Sequence, residues 1–315
     1  MKAAVVRAAG QTPVYGDFAE PEPAAGEIRV AVAAAALSPL ARSRASGGHY
    51  SVAGGGFPAV AGVDGVGRRD DGRRVYFLLP RPPFGAMAER TVVAAAHCAP
   101  IPDGLDDMTA AAIANPGMSS WAALKERAKL KAGETVLING ATGAAGHLAM
   151  QAARHFGAGK VIATGRNLEA LARLDADATI ALSDDWAALD DAFCRQFAAG
   201  IDVVVDYLWG RSAERMLAAA SKASPVDRPL RFVQVGNASG PNVTLPGAVL
   251  RSKPIALIGS GLGSVPTDRL IADIGELLAA AAGRFTIAAR AVPLAEVERA
   301  WGEAGDARLV FTVGA

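Results

Sequence analysis

Cysteine is almost missing from this chain. Its 315 residues contain two, Cys98 and Cys194, far apart in sequence, which excludes a disulfide framework and any CxxC metal spacing and predicts a reducing cytoplasm. Net charge is nearly missing as well. The 32 Lys and Arg stand against 31 Asp and Glu, so no global field draws the chain to nucleic acid or an anionic membrane. No apolar run reaches the ~18 residues of a membrane span, and the opening MKAAVVRAAG meets Arg7 too early for the core of a secretion signal. GxxxxGK[ST] does not occur, which removes the P-loop reading of any glycine turn. The histidines His49, His97, His147 and His155 show no ligand spacing. Arg68-Arg69 and Arg73-Arg74, flanking Asp70-Asp71, read as a solvated hairpin rather than a binding patch.

What the sequence does hold is apolar and alternating. Hydrophobic residues make up 51% and charged residues 20%, the balance of an alanine-rich α/β protein, and the length predicts two domains. Up to about residue 115 the chain reads as short β segments broken by Gly and Pro, such as EIRVAVAAAALS and RRVYFLL. DGLDDMTAAAIANPGMSSWAALKERAKL then carries Asp and Ser starts ahead of apolar spacings of three and four, which predicts two short helices. From Thr135 strands and helices alternate through TVLING, KVIATG, ATIAL, DVVVDYLW, RFVQVGN and IALIGSG, which implies crossovers and a parallel sheet with helices on both faces. Near Ser264 the pattern returns to that of the start. Residues 1–117 and 258–315 are therefore assigned to one discontinuous β-rich domain, and 118–257 to a domain inserted into it.

Gly140-Ala-Thr-Gly143-Ala-Ala-Gly146 follows a strand, opens a helix and is succeeded by a second strand, the setting of a dinucleotide pyrophosphate cradle. Gly143 lets backbone N–H groups approach the phosphates, Gly146 lets the helix pack on the strand, and the helix start adds unpaired donors. Thr142, Gly143, Ala144, Ala145 and Gly146 are the expected contacts. The second strand selects the cofactor. A free adenosine 2′-hydroxyl is gripped by Asp or Glu ~20 residues beyond the glycines, whereas this strand ends Thr164-Gly165-Arg166-Asn167. The acid is missing, and the Arg166 fork suits a 2′-phosphate. These four residues are assigned to NADPH, with an exposed turn arginine as the alternative for Arg166. Gly236-Asn237 and Gly259-Ser260-Gly261, at strand ends on the ligand side of the sheet, complete the expected cofactor contacts.

FGAMAERTVVAAAHCAPIPDGLDDMTAAAI, LKAGETVLINGATGAAGHLAMQAARHFGAGKVIATGRN, DVVVDYLWG and VPLAEVERAWGEAGDARLVFTV, in this order, resemble the zinc-independent quinone oxidoreductase-like branch of the medium-chain dehydrogenase/reductase superfamily. The resemblance covers nearly the whole length. It implies an α/β protein with a GroES-like β-rich catalytic domain made from both chain ends, plus a Rossmann doubly wound parallel sheet. It further implies that KPIALIGSG pairs across a homodimer. Tyr50 falls where related reductases carry a tyrosine facing the nicotinamide, Ser38 where they often carry Asn, and Asn115 where they line the nicotinamide pocket. Each has a plainer alternative: a loop aromatic for Tyr50, a turn before Pro39 for Ser38, helix capping for Asn115.

The zinc-dependent sister branch uses Cys and His ligands to acidify an alcohol. Here no cysteine precedes Cys98, and AGVDGVG stands where its His-Glu motif would fall, so no metal site is expected. Nor does any Tyr have Lys four residues on, the acid pair of short-chain dehydrogenases. The surviving chemistry is hydride transfer to an acceptor whose product anion is already delocalised, a quinone or α,β-unsaturated carbonyl, with proximity and orientation as the protein's contribution. The expected protein is a metal-independent NADPH-dependent quinone or enone reductase of the cytoplasm. An enoyl-thioester reductase and a low-turnover NADPH-binding protein are the alternatives. Phe57, Phe84 and Trp209 are candidates for lining an acceptor pocket.

Overall fold

The computed structural model describes residues 1–48, 56–305 and 307–314. The chain divides into two compact units, one made of Met1–Met118 with Pro266–Ala315 and the other of Ser119–Val265. In chain order the first unit holds β1 (Lys2–Val6), β2 (Val14–Asp17), β3 (Glu27–Ala36), α1 (Pro39–Ala45), β4 (Ala59–Val60), β5 (Asp64–Arg69), β6 (Arg74–Leu78), β7 (Arg90–Ala94) and β8 (Cys98–Pro100). Helix α2 (Asp107–Ala122) follows. The second unit continues with β9 (Thr135–Asn139), α3 (Ala144–His155), β10 (Lys160–Gly165), α4 (Leu168–Ala172), β11 (Ala178–Ala181), α5 (Trp186–Ala198), β12 (Val203–Asp206), α6 (Gly210–Ala223), β13 (Leu230–Gln234), α7 (Gly247–Ser252) and β14 (Ile255–Gly259). The chain then returns with α8 (Thr267–Ala281), β15 (Ala289–Pro293), α9 (Val297–Ala300) and β16 (Arg308–Thr312).

The first unit is built on a sheet ordered β15-β16-β3-β5-β6-β8, with β7 also pairing β3, and a smaller sheet ordered β2-β1-β4. β16 lies between β15 and β3, antiparallel to β3 through Val310–Ala36 and Thr312–Ala34, so both chain ends contribute to one sheet. Val30, Val32, Phe77, Met87, Val292 and Phe311 form its core. Gly67 is forced here, since a Cβ would lie 2.2 Å from the Ala31 carbonyl oxygen of the neighbouring strand. In the turn after β5, Asp71 pairs with Arg69 and Arg73 at 3.3 Å each, Arg68 Nη1 donates to the Gly72 carbonyl at 3.1 Å, and Asp70 pairs with Arg29 of β3 at 3.2 Å, so Arg68, Arg69 and Arg73 serve a surface hairpin. Arg74 leaves it and donates to Asp107 Oδ1 at the start of α2 and to the Leu105 carbonyl.

The second unit is a six-stranded parallel sheet, ordered β11-β10-β9-β12-β13-β14. Its inner strands read as apolar runs because helices cover both faces. β9 is buried throughout, and Leu137, Ile162, Phe193, Phe197, Val204, Met216 and Phe232 pack on one side. The order reverses at β9, which is flanked by β10 and β12, so the carboxyl end of β9 is the topological switch point where such sheets place ligands. β14 belongs to this sheet, and the unit runs on to Val265, past the boundary near residue 258 expected from the sequence.

The stretch expected as two short helices is one. α2 runs unbroken through Pro116 and continues into a π turn over Ala123–Arg127, closed by Ala128 N–H donating to the Ala123 carbonyl. A proline inside a helix forfeits a hydrogen bond and costs about 3 kcal/mol. Ala110, Ala111, Ala112, Ile113 and Ala114 are fully buried, and that packing outweighs the break.

Candidate active site

The glycine turn leaves β9 at the switch point. Gly140 takes φ +90°, Gly143 caps α3 without a side chain, and the N–H groups of Ala144, Ala145 and Gly146 have no acceptor among the described residues. Gly146 is demanded by packing: a Cβ would sit 2.2 Å from the Gly140 carbonyl oxygen and 2.7 Å from Ala141 Cα. Gly143 is not. Its φ is −81° and the nearest atom to a Cβ would be 3.6 Å away, so nothing inside the protein requires glycine there. A helix start with three free donors, and a residue kept bare on the outward side, fits an approaching anion.

At the end of β10, Gly165 lies against Thr142, whose Cγ2 would be 2.6 Å from a Cβ on it. Arg166 is exposed and makes no hydrogen bond or ion pair with any described residue. Asn167 is used locally: its Oδ1 accepts from Ala170 N–H as the cap of α4. On the far side of β9, Asp206 ends β12 and accepts from Asn139 Nδ2 at 2.7 Å, Leu208 N–H at 2.9 Å and Trp209 N–H at 3.1 Å. Burial pushes its carboxyl up from the usual range, against those hydrogen bonds. The turn it holds is strained, with Trp209 at φ 58°.

Further along the sheet, Gly236 abuts Tyr207, where a Cβ would be 2.6 Å from the carbonyl oxygen, and Asn237 is exposed. The Gly259–Ser264 turn is fixed from the π turn, since Arg127 Nε donates to the Gly259 carbonyl at 2.9 Å and Nη1 to that of Ser264. Gly261 is held within the turn by Ser264 Oγ, and Ser260 N–H donates to the Gln234 carbonyl. Ser120 Oγ donates to the Ala145 carbonyl, so it accepts from Tyr207 Oη at 3.0 Å and ties the first turn of α3 to the end of β12. Burial pushes the Tyr207 phenol up to about 12.

The first unit holds a buried acid. Asp64, at the start of β5, accepts from Tyr76 Oη and from Asn115 Nδ2, each at 3.1 Å. Desolvation drives its carboxyl up to about 6, against the pull of the Arg308 charge and both hydrogen bonds. Arg308 is enclosed with it, and its Nε and Nη2 have no hydrogen-bond partner among the described residues. Because the folded value exceeds the unfolded one, the proton is held more tightly in the native state. The resulting stability is full below about pH 4 and lost as pH rises through 6, on the order of 3 kcal/mol. Unfolding free energies of Asp64→Asn and of the unaltered chain, measured from pH 4 to 7, should diverge by that trend; parallel curves would show that Asp64 does not titrate there.

The sequence matches no protein-family model. It is 28% identical to a probable NADPH-dependent quinone reductase of Emericella nidulans, over 92% of this chain and 92% of that protein. The fold matches the quinone oxidoreductase of Thermus thermophilus, solved alone and with NADPH, at TM-score 0.81 and 27% identity over 99% of this chain and 100% of that one. In sequence and in fold the chain is similar to quinone oxidoreductases of the medium-chain dehydrogenase/reductase superfamily. A mycobacterial quinone oxidoreductase superposes with TM-score 0.85 at 23% identity, over 99% and 100% of the two chains, and adds to the likeness of fold.

The residues singled out from sequence lie in different parts of the fold. Thr142, Gly143, Ala144, Ala145, Gly146, Thr164, Gly165 and Arg166 cluster at the ends of β9 and β10. Ser38 is buried and its Oγ accepts from Ala41 N–H, which makes it the cap of α1, while Asn115 is pinned to Asp64 from within α2. Tyr50 and His49 lie outside the described residues. Among the described residues no three His, Cys, Asp or Glu gather as metal ligands. Phe57 and Phe84 line a small pocket of the first unit with Arg44, Val63, Leu79 and Pro83, whereas Trp209 rests edge-on against Phe232 in the second. Sequence reasoning missed Asn139 and Asp206. The signal was there: each is the polar residue that closes an inner strand after an apolar run, in TVLIN and VVVD.

Proposed function

We propose that the protein catalyses the NADPH-dependent two-electron reduction of a quinone or an α,β-unsaturated carbonyl. The observation that carries this reading is the pairing of a bare, donor-rich helix start at Gly143–Gly146 with an uncommitted guanidinium at Arg166. The first suits a pyrophosphate and the second a 2′-phosphate. NADPH, when bound, supplies the hydride. The protein's own share is to orient the cofactor from the backbone of residues 142–146, with Gly236, Asn237 and the Gly259–Gly261 turn placed along the same sheet edge. Acceptors of this class leave a delocalised phenolate or enolate, so a hydrogen-bond donor and water suffice to complete the reaction. Tyr50 keeps the donor role that the family resemblance implies.

The two free thiols, Cys98 and Cys194, fit a reducing compartment, and we assign the protein to the cytoplasm. β14 is an open edge strand with Leu257 38% exposed, which supports pairing with a second copy and sedimentation at twice the chain mass. The deciding experiment is NADPH oxidation against a panel of quinones, enones and enoyl thioesters. Turnover of quinones or enones, at least about tenfold faster with NADPH than with NADH, is the expected result. Tight NADPH binding with no turnover of any acceptor would make the protein a cofactor-binding protein instead.

A further inference from the structure

Between the glycine turn and the Arg166 end of β10 runs a buried polar chain, and Thr164, expected from sequence as a cofactor contact, has its side chain fully enclosed within it. Asn139 and Thr164 are register partners on adjacent parallel strands, so their side chains share a face. Thr164 Oγ1 donates to Asn139 Oδ1 at 2.7 Å and accepts from Gly140 N–H at 3.1 Å, while the Thr164 carbonyl accepts from Ala141 N–H at 2.9 Å. Next in sequence, the bare Gly165 makes room for Thr142. Three successive residues of the turn are thus registered against two successive residues of β10, and Arg166 follows directly.

The direction of this chain is set from the other side of β9. Every hydrogen bond to Asp206 comes from a donor, so the amide of Asn139 must turn its nitrogen toward that carboxylate, and Nδ2 also donates to Ser212 Oγ at 3.0 Å. This leaves Oδ1 facing Thr164. A hydroxyl has one proton, and Asn139 takes it, so Thr164 presents only lone pairs to Gly140 N–H. With both partners of each group assigned, neither side chain has an alternative arrangement of comparable quality.

We propose that Thr164 is a positioning residue for cofactor choice: with its hydroxyl aimed by Asn139, it holds the phosphate-facing turn and the Arg166-bearing strand end in one fixed spacing, matched to a dinucleotide with a 2′-phosphate. The proposal rests on the NADPH reading above. NADH engages only the turn and tolerates a change in that spacing; NADPH must satisfy both sites at once and does not.

The test is titration of NADPH and NADH into the full chain carrying Thr164→Val, which keeps the side-chain shape and removes the hydroxyl, and Thr164→Ser, which restores it. Thr164→Val should weaken NADPH about tenfold and NADH by no more than about threefold, and Thr164→Ser should return the ratio of the two affinities to within about twofold of the unaltered protein. The ratio stays readable even if a variant is partly unfolded, because a reduced fraction of competent protein lowers both affinities by the same factor. An unchanged ratio in Thr164→Val, or a Thr164→Ser protein as unselective as Thr164→Val, would overturn the proposal and leave the NADPH reading standing. Failure of the unaltered chain to bind NADPH would overturn both.

Discussion

Arg166→Ala should raise the dissociation constant for NADPH about 30- to 100-fold and leave NADH within about twofold. The guanidinium is exposed and bonded to no described residue, so its removal takes nothing from the fold. What it removes is a charge-assisted, two-pronged contact to a phosphate, worth about 2–3 kcal/mol, at ~1.4 kcal/mol per factor of ten. Arg166→Lys should fall between, since an ammonium keeps the charge and loses the fork. Fluorescence titration with both cofactors reads this directly. Equal losses for NADPH and NADH would mean that the arginine acts on the pyrophosphate or the loop rather than on the 2′-phosphate.

Gly146→Ala and Gly143→Ala should separate stability from binding. At Gly146 the new methyl meets backbone, the Gly140 carbonyl oxygen at 2.2 Å and Ala141 Cα at 2.7 Å, and no side chain is there to swing aside. α3 must lift from the turn. The cost is about 1–3 kcal/mol of overpacking, a melting temperature lower by several degrees, and loss of NADPH binding as the donors move. At Gly143 the conformation is one any residue adopts and the space is open, so stability falls only slightly, by the few tenths to about 1 kcal/mol that alanine costs as a helix cap. Its methyl nevertheless stands where the phosphates approach, and NADPH affinity should fall at least about tenfold. A Gly143→Ala protein that binds NADPH normally would place the pyrophosphate elsewhere.

Much of the second unit was legible from sequence because parallel strands buried on both faces must be apolar runs, and TVLIN, KVIATG and VVVD can be little else. The cradle was legible for a different reason: glycine spacing and the lack of an acid after β10 are local facts. α2 was misjudged because Pro116 and the serines after it signal a break, and only tertiary packing shows why the helix persists. The polar networks were out of reach for a third reason. Asn139 meets Asp206 across 67 positions and Asp64 meets Asn115 across 51, and only the fold brings such pairs together. Ser38 and Asn167 show the converse, since capping hydroxyls and amides have the same sequence signature as ligand contacts.

β16 sits between β15 and β3, yet it is encoded almost the whole chain after β3. A polypeptide emerging from the ribosome therefore presents the Ala34–Ala36 end of β3 without its β16 partner for as long as Ser119–Val265 is being made and folding, although β7 already pairs Glu27–Ala31. Premature termination just short of residue 308 would leave the parallel-sheet unit complete and the other unit with an open seam between β15 and β3, next to the sheet's edge. Truncated products should thus be recognised by chaperones and proteases through that seam, while their glycine-turn half remains intact.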